Sequence, residues 1–356
     1  MIRNPKLVIA TLTTVAGLAV VGCSSSSSSS SASSSSASAA ATSSTGTSSG
    51  TSSGARTSAS LSNVTLNVGD QKGTGAEAVL TAAGLLKTLP FKVTWSDFTS
   101  GPPLLEAMAS GSVDVGGVGD APPVFAASGG EAVEIVGART TPAGDQDAVV
   151  VPKGSPITSI QQLKDKRIAY GSGSSGNYNL LTVLNKADLT SKDITLVNLQ
   201  PAEALAAFTS GAVDAWDIWP PYVQQVVAQD GAKVLSVGPQ YGSPYSFQVA
   251  SKSALANPQK AAAIKIYLQT LNKAYAWTAD HVNSWGAAWS SAAGLPASIT
   301  DVAAKVDKQE PVTITSAVTT SEQNLVTEFF KAGLIPNDVN MSNYITTQFN
   351  DTVSGS

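Results

Sequence analysis

The chain has 356 residues, only 13% of them charged, and a net charge of −4. Without a basic stripe, nucleic acid is excluded as a partner. One cysteine and one histidine exclude an internal disulfide and a zinc site built on a Cys/His cluster.

The N-terminus has the layout of an export signal. Arg3 and Lys6 precede an apolar stretch over 7–21, too short to span a bilayer comfortably. Val20-Val21-Gly22-Cys23 resembles a lipobox, so residues 1–22 are expected to be removed and Cys23 to be lipidated. A multiply acylated cysteine holds a protein at a membrane surface stably. Residues 23–62, rich in Ser, Ala, Thr and Gly, have almost nothing to bury and are expected to form a flexible tether. This order places the globular body outside the cytoplasmic membrane.

From residue 63 onward the chain exceeds the usual size of one core, so two lobes are expected. Strands are expected at 64–69, 91–98, 113–118, 133–138 and 148–151, with helices at 76–86 and 100–108. A second set follows the same order, with strands at 167–170, 195–199, 213–218 and 234–237 and helices at 179–187 and 201–211. Residues 119–123 and the Trp-rich stretch after Ile218 read as loops. A strand at 247–250 returns to the first lobe, and the remainder reads as mostly helical. Strands alternating with helices argue for parallel sheets covered on both faces. The chain would cross between lobes twice, near 147–151 and 245–250, as a hinge requires. Lobe 1 is therefore expected over 63–148 and 249–356, and lobe 2 over 149–248.

An internal repeat supports two similar lobes. Leu105-Glu106-Ala107-Met108-Ala109-Ser110-Gly111-Ser112-Val113-Asp114 matches Leu205-Ala206-Ala207-Phe208-Thr209-Ser210-Gly211-Ala212-Val213-Asp214, one hundred residues later. The loops that follow differ, so the lobes are expected to bring different chemistry to a shared cleft. Asp114 and Asp214 precede strand cores and read as structural.

Enzymatic readings find little support. A serine triad needs a histidine, and His281 lies in a helical stretch far from every glycine loop. Gly171-Ser172-Gly173-Ser174-Ser175-Gly176 matches the dinucleotide fingerprint only superficially, with no acidic residue ending the next strand. No cofactor is expected. A binding reading uses the same residues better. Three loops (69–75, 100–103 and 171–178) join strands to helices, and helix N-termini hold anions without a cationic side chain. Ser172, Ser174, Ser175 and Asn177 add side-chain donors. Trp216 and Trp219, beside Pro220-Pro221-Tyr222, read as a core residue and a pocket wall, or as two walls. Asp120 and Asp217 either accept from a ligand amine or hydroxyl or cap a helix.

Several stretches resemble the aliphatic sulfonate-binding proteins of ATP-driven importers, within the wider sulfonate, nitrate and taurine solute-binding family. They are Gly69-Asp70-Gln71-Lys72-Gly73, Ser100-Gly101-Pro102-Pro103, Gly119-Asp120-Ala121-Pro122-Pro123, Val151-Pro152-Lys153-Gly154-Ser155-Pro156, Asp214-Ala215-Trp216-Asp217-Ile218-Trp219-Pro220-Pro221-Tyr222 and Ala332-Gly333-Leu334-Ile335-Pro336. The resemblance implies an α/β type II periplasmic-binding-protein fold, with two Rossmann-like lobes joined by a two-strand hinge. It implies capture of a small organic anion, an alkanesulfonate first, for an ABC permease and its ATPase, by a lipid-anchored monomer. Position by position it implicates Gln71, Gly101, Gly119 and Asp120 from lobe 1, and Ser172, Ser174, Asn177, Trp216 and Asp217 from lobe 2. Nitrate, taurine, a sulfate ester or a thiamine-precursor pyrimidine are alternative ligands. A cofactor-precursor enzyme is the alternative class.

Overall fold

The computed structural model describes residues 61–71, 75–141, 146–237 and 241–353. The expected signal segment, Cys23 and nearly all of the tether lie outside the described residues. Leu61 is already buried in the core, two residues before the body was expected to begin.

The first run of elements is β1 (Thr65–Gln71), α1 (Ala76–Ala82), β2 (Lys92–Phe98), α2 (Gly101–Ala109), β3 (Val115–Val118), α3 (Ala121–Gly129) and β4 (Val133–Thr140). The second is β5 (Ala148–Val151), β6 (Arg167–Tyr170), α4 (Ser175–Lys186), β7 (Thr195–Asn198), α5 (Pro201–Thr209), β8 (Ala215–Ile218), α6 (Tyr222–Asp230) and β9 (Lys233–Val237). The chain ends with β10 (Tyr245–Ser251), α7 (Lys252–Ala256), α8 (Pro258–Asp280), α9 (Val282–Ala293), α10 (Ala297–Val306), β11 (Glu310–Val312) and α11 (Ser316–Lys331).

Two sheets result, ordered β11-β4-β10-β3-β1-β2 and β7-β6-β8-β5-β9. The three strands of each repeat pair parallel, β2-β1-β3 in one sheet and β7-β6-β8 in the other. The expected all-parallel sheets are not found, because β10 runs antiparallel to β3 and β4, and β5 antiparallel to β8 and β9. The crossings explain this. A chain leaving one sheet at the carboxyl ends of its strands enters the other sheet at the same edge. It must then run away from that edge, against the strands that end there. The two crossing segments touch where Thr141 N–H donates to the Pro244 carbonyl at 3.3 Å.

Each sheet is buried on both faces. Leu66, Val68, Leu80, Tyr267 and Trp289 form the core under α1, α8 and α9. Leu104, Met108, Val124, Phe247 and Phe329 form the one under α2, α3 and α11. In the second sheet Ile168, Leu180 and Leu184 pack under α4, and Phe208, Trp216 and Val226 under α5 and α6.

The repeat is a structural lock. Asp114 Oδ2 accepts from Asn67 N at 2.9 Å, and Asp214 Oδ2 from Arg167 N at 2.8 Å, each 47 residues apart. Each carboxylate thus ties the start of a repeat's third strand to its first strand. The loop expected at 119–123 becomes, from Ala121 onward, the start of α3, whereas the loop expected after Ile218 is a turn over 219–221 that leads into α6. Pro122 and Pro123 fit the first turn of α3, where a helix needs no N–H from them.

Candidate functional site

A cavity of about 170 Å3 lies where the carboxyl ends of the two sheets meet. Gln71 ends β1, Gly101 opens α2, Gly119 and Asp120 join β3 to α3, and Ser174 and Ser175 open α4; all six line the cavity. The repeat therefore directs its strand-to-helix junctions at one space, where unpaired helix N–H groups favour negative charge. Thr99 and Ser100 hydroxyls donate to Gln200 Oε1 at 2.7 and 3.0 Å, so residues flanking α2 and α5 meet directly.

The remaining candidates from the sequence do not reach the wall. Ser172 is exposed, its N–H donating to Asn198 Oδ1 at 2.9 Å. Asn177 is buried in the first turn of α4, with Oδ1 accepting from Gly173 N at 3.1 Å. Trp216 packs on Phe208 and Tyr222 inside the second sheet's core. Asp217 faces α4, where Oδ2 accepts from Asn179 Nδ2 at 2.9 Å. The physical reason is that β8 is a central strand covered on both faces, so neighbouring side chains enter opposite cores. Trp219, past the end of β8, lines the cavity instead. Asp120 lines the cavity and also caps α3, accepting from Ala121 N at 2.7 Å.

Arg139 is the group that sequence reasoning missed. It lines the cavity, is 7% exposed, and stacks 4.3 Å from the centre of the Tyr275 ring. Its Nε donates to Gln309 Oε1 at 3.4 Å, whereas Nη1 is buried with no partner. Gln248 lies beside it, 4% exposed, with neither end of its amide bonded. Gly117 makes room for both, since a Cβ there would sit 2.7 Å from Gln248 Nε2 and 3.7 Å from Arg139 Nη2. Gln71 Nε2 donates to the Gly117 carbonyl at 2.9 Å. Buried polar groups left unbonded are costly, so unpaired donors on a cavity wall point to a bound acceptor.

Two approaches between the helix starts of the two repeats are tight. A Cβ at Gly119 would lie 2.9 Å from Ser175 Cβ, and one at Gly173 3.1 Å from the Phe125 ring. Valine at Gly119 would hold the two walls apart, and misfit of this kind costs about 1–3 kcal/mol. Gly119→Val is expected to weaken ligand binding roughly tenfold or more and to leave the unliganded melting midpoint nearly unmoved. Unchanged affinity by titration calorimetry would refute the tight approach.

Several buried carboxyls, at the cavity and behind its walls, are unusual. Burial pushes Asp70 up to about 6, against three backbone N–H bonds from Glu77, Ala76 and Gln71. Burial raises Asp120 well above the ordinary range, and Asp147 adds to the effect. Asp217 is raised by burial and by Asp147, and Glu322 by burial and by Asp120. These folded-state values lie above those of the unfolded chain. The folded protein thus keeps protons that the unfolded chain releases, and stability falls as pH rises from about 4. For Asp70 the loss is complete just above pH 6, and for the other three it continues higher. The melting midpoint of the unliganded protein is expected to be higher at pH 5 than at pH 8. Glu322, fully buried with both oxygens unpartnered, contributes to this, so Glu322→Gln should shrink the difference. A midpoint that instead rises from pH 5 to pH 8 would contradict the assignment.

Known proteins share this architecture. The family model described as "NMT1/THI5 like" matches residues 100–283. A relative from Escherichia coli (strain K12), named for aliphatic sulfonate binding, is 34% identical over 281 residues, covering 78% of this chain and 86% of that protein. The alkanesulfonate-binding protein SsuA from Xanthomonas axonopodis pv. citri, solved bound to MOPS, superposes with a TM-score of 0.75 at 30% identity, covering 80% of this chain and 99% of that one. The desulfurization enzyme DSZB, at 14% identity and a TM-score of 0.61, shares the fold alone. The mixed α/β chain with two sheets has the fold of the SsuA periplasmic binding proteins and belongs to the NMT1/THI5-like family, beside the aliphatic sulfonate-binding proteins.

Proposed function

We propose that this protein is the extracytoplasmic solute-binding component of an ABC importer and that its cargo is an aliphatic sulfonate. The observation that carries this reading is the cavity wall. An unpartnered guanidinium nitrogen of Arg139 and an unbonded Gln248 amide sit beside helix N-termini in a space of small-molecule size. A sulfonate offers three acceptor oxygens and one delocalised charge, which suits a planar guanidinium and N–H donors better than one compact cation would. Gln71, Gly101, Gly119 and Ser174 form the surrounding wall, and Asp120 borders it. The naming of the relatives for aliphatic sulfonate binding supports the same ligand class.

In this reading 63–148 with 249–356 and 149–248 are two lobes that close on the ligand about the paired crossings. Cys23 anchors the protein to the outer face of the cytoplasmic membrane, the residues between it and Leu61 tether it, and the monomer delivers ligand to a permease driven by its ATPase. The protein binds without catalysis. Among the described residues, neither cysteine nor histidine lines the cavity.

Thermal unfolding against alkanesulfonates, taurine, nitrate, sulfate and hydroxymethylpyrimidine tests the reading. A ligand present at about a hundred times its dissociation constant adds about 2.7 kcal/mol of stability. A raised midpoint with sulfonates is the expected result. A shift with nitrate or the pyrimidine alone would overturn the substrate class.

A further inference from the structure

The two sheets are joined by the chain at one side only. In the first sheet the chain crosses at β4 and β10, and β2 is the strand at the opposite edge, three places from β10. In the second it crosses at β5 and β9, and β7 is the opposite edge, three places from β5. Neighbouring strands lie about 4.8 Å apart, so β2 and β7 end roughly 14 Å from the crossings. The residues that follow those two strands, Thr99-Ser100 and Gln200, join the sheets a second time.

Thr99 Oγ1 and Ser100 Oγ both donate to Gln200 Oε1, at 2.7 and 3.0 Å. Ser100 and Gln200 hold the same place in the repeat, as the residues before α2 and α5. The sequence explains why the serine is free to reach across. A serine before a helix ordinarily accepts from the second or third helical N–H, but in α2 those positions are Pro102 and Pro103, which have none. The Ser100 hydroxyl therefore makes no cap and donates outward. Gln200 is steadied by its own N–H, which donates to Glu203 Oε2 at 3.2 Å. Thr99, Ser100 and Gln200 all stand outside the cavity lining, whereas the next residue, Gly101, belongs to it.

We propose that Thr99, Ser100 and Gln200 form the latch of the closed cleft and set how fast ligand leaves without touching it. This rests on the reading given above of two lobes that close on a sulfonate. When lobes rotate about the crossings, a contact far from the axis separates most, and its hydroxyls and amide then pair with water. These hydrogen bonds therefore favour only the closed state. Ligand enters the open protein and does not use the latch, but release has to break it. The three are positioning residues, since they hold the start of α2, with Gly101, against the start of α5.

Stopped-flow fluorescence, with Trp219 on the cavity wall as the reporter, measures entry and release separately. Thr99→Val combined with Ser100→Ala removes both donors with little change of shape. Dissociation of ethanesulfonate is expected to speed up roughly tenfold with association unchanged, as befits two neutral hydrogen bonds lost from the closed state. Gln200→Met should do the same from the other side, and joining it to the donor variant should add little, because both remove one interaction. Gln200→Glu keeps an acceptor and should release near the parent rate. The factor should be equal for ethanesulfonate and hexanesulfonate, and the melting midpoints of the unliganded variants should match the parent's. Parent-like dissociation in either folded variant would overturn the inference, as would slowed association with unchanged dissociation. A factor that depends on the tail would overturn it too, by placing these residues on the ligand. A parent protein that binds neither sulfonate would overturn the sulfonate reading itself, and the latch with it.

Discussion

Replacing Arg139 with methionine is expected to weaken sulfonate binding by roughly a hundredfold or more, since hydrogen bonds to charged groups contribute about 1.5–3 kcal/mol each. Arg139 is buried, stacked on Tyr275 and steadied by Gln309, so its guanidinium is already placed before ligand arrives. A group held this way loses little freedom on binding, and more of its interaction energy appears as affinity. Methionine has a similar reach and no charge, which makes the variant a test of recognition rather than of packing. The variant should unfold cooperatively, and titration calorimetry should show the loss. Parent-like affinity in a folded Arg139→Met protein would remove Arg139 from the site.

Trp216→Ala should have the largest effect on stability. The indole is 1% exposed and packs on Phe208 and Tyr222 with ring centres 5.9 and 6.0 Å away. Truncating a buried Trp to Ala costs about 3–5 kcal/mol, which denaturant unfolding would read as a lower midpoint. Trp219→Ala should do the opposite. Its side chain lines the cavity, so affinity should fall and stability should change little. If Trp216→Ala weakened binding in a protein as stable as the parent, the assignment of the two tryptophans would be reversed.

The frame of the molecule was legible because it is repeated. Gly111 and Gly211 both take a left-handed φ (84° and 74°) just after α2 and α5, and Asp114 and Asp214 make equivalent bonds. The glycine and serine loops before helices were readable for the same reason, and Gln71, Gly101, Gly119 and Ser174 follow from them. What chain periodicity could not show was direction. Trp216 and Trp219 are both aromatic and three apart, and only the end of β8 separates a core residue from a wall residue. Asn177 and Asp217 are polar residues near a helix start, where a cap and a ligand contact look alike in a sequence. Arg139 was hidden by a β-bulge. Gln248 pairs with Gly137 and Val249 with Ile135, which leaves Val136 as an extra residue in β4. Simple alternation from Val133 and Ile135 puts Arg139 on the α3 and α11 face. The bulge turns it to the α8 face, against Tyr275. The one cue was a cation at the carboxyl end of an otherwise apolar strand, at the edge where ligands bind.

A crystal structure of the protein with an alkanesulfonate bound would test the central claim most directly. The account predicts density in the cavity between the sheets, with sulfonate oxygens within hydrogen-bond distance of Arg139 Nη1 and the Gln248 amide. A sulfonate seated elsewhere, with Arg139 and Gln248 unchanged and bonded to each other or to water, would contradict it.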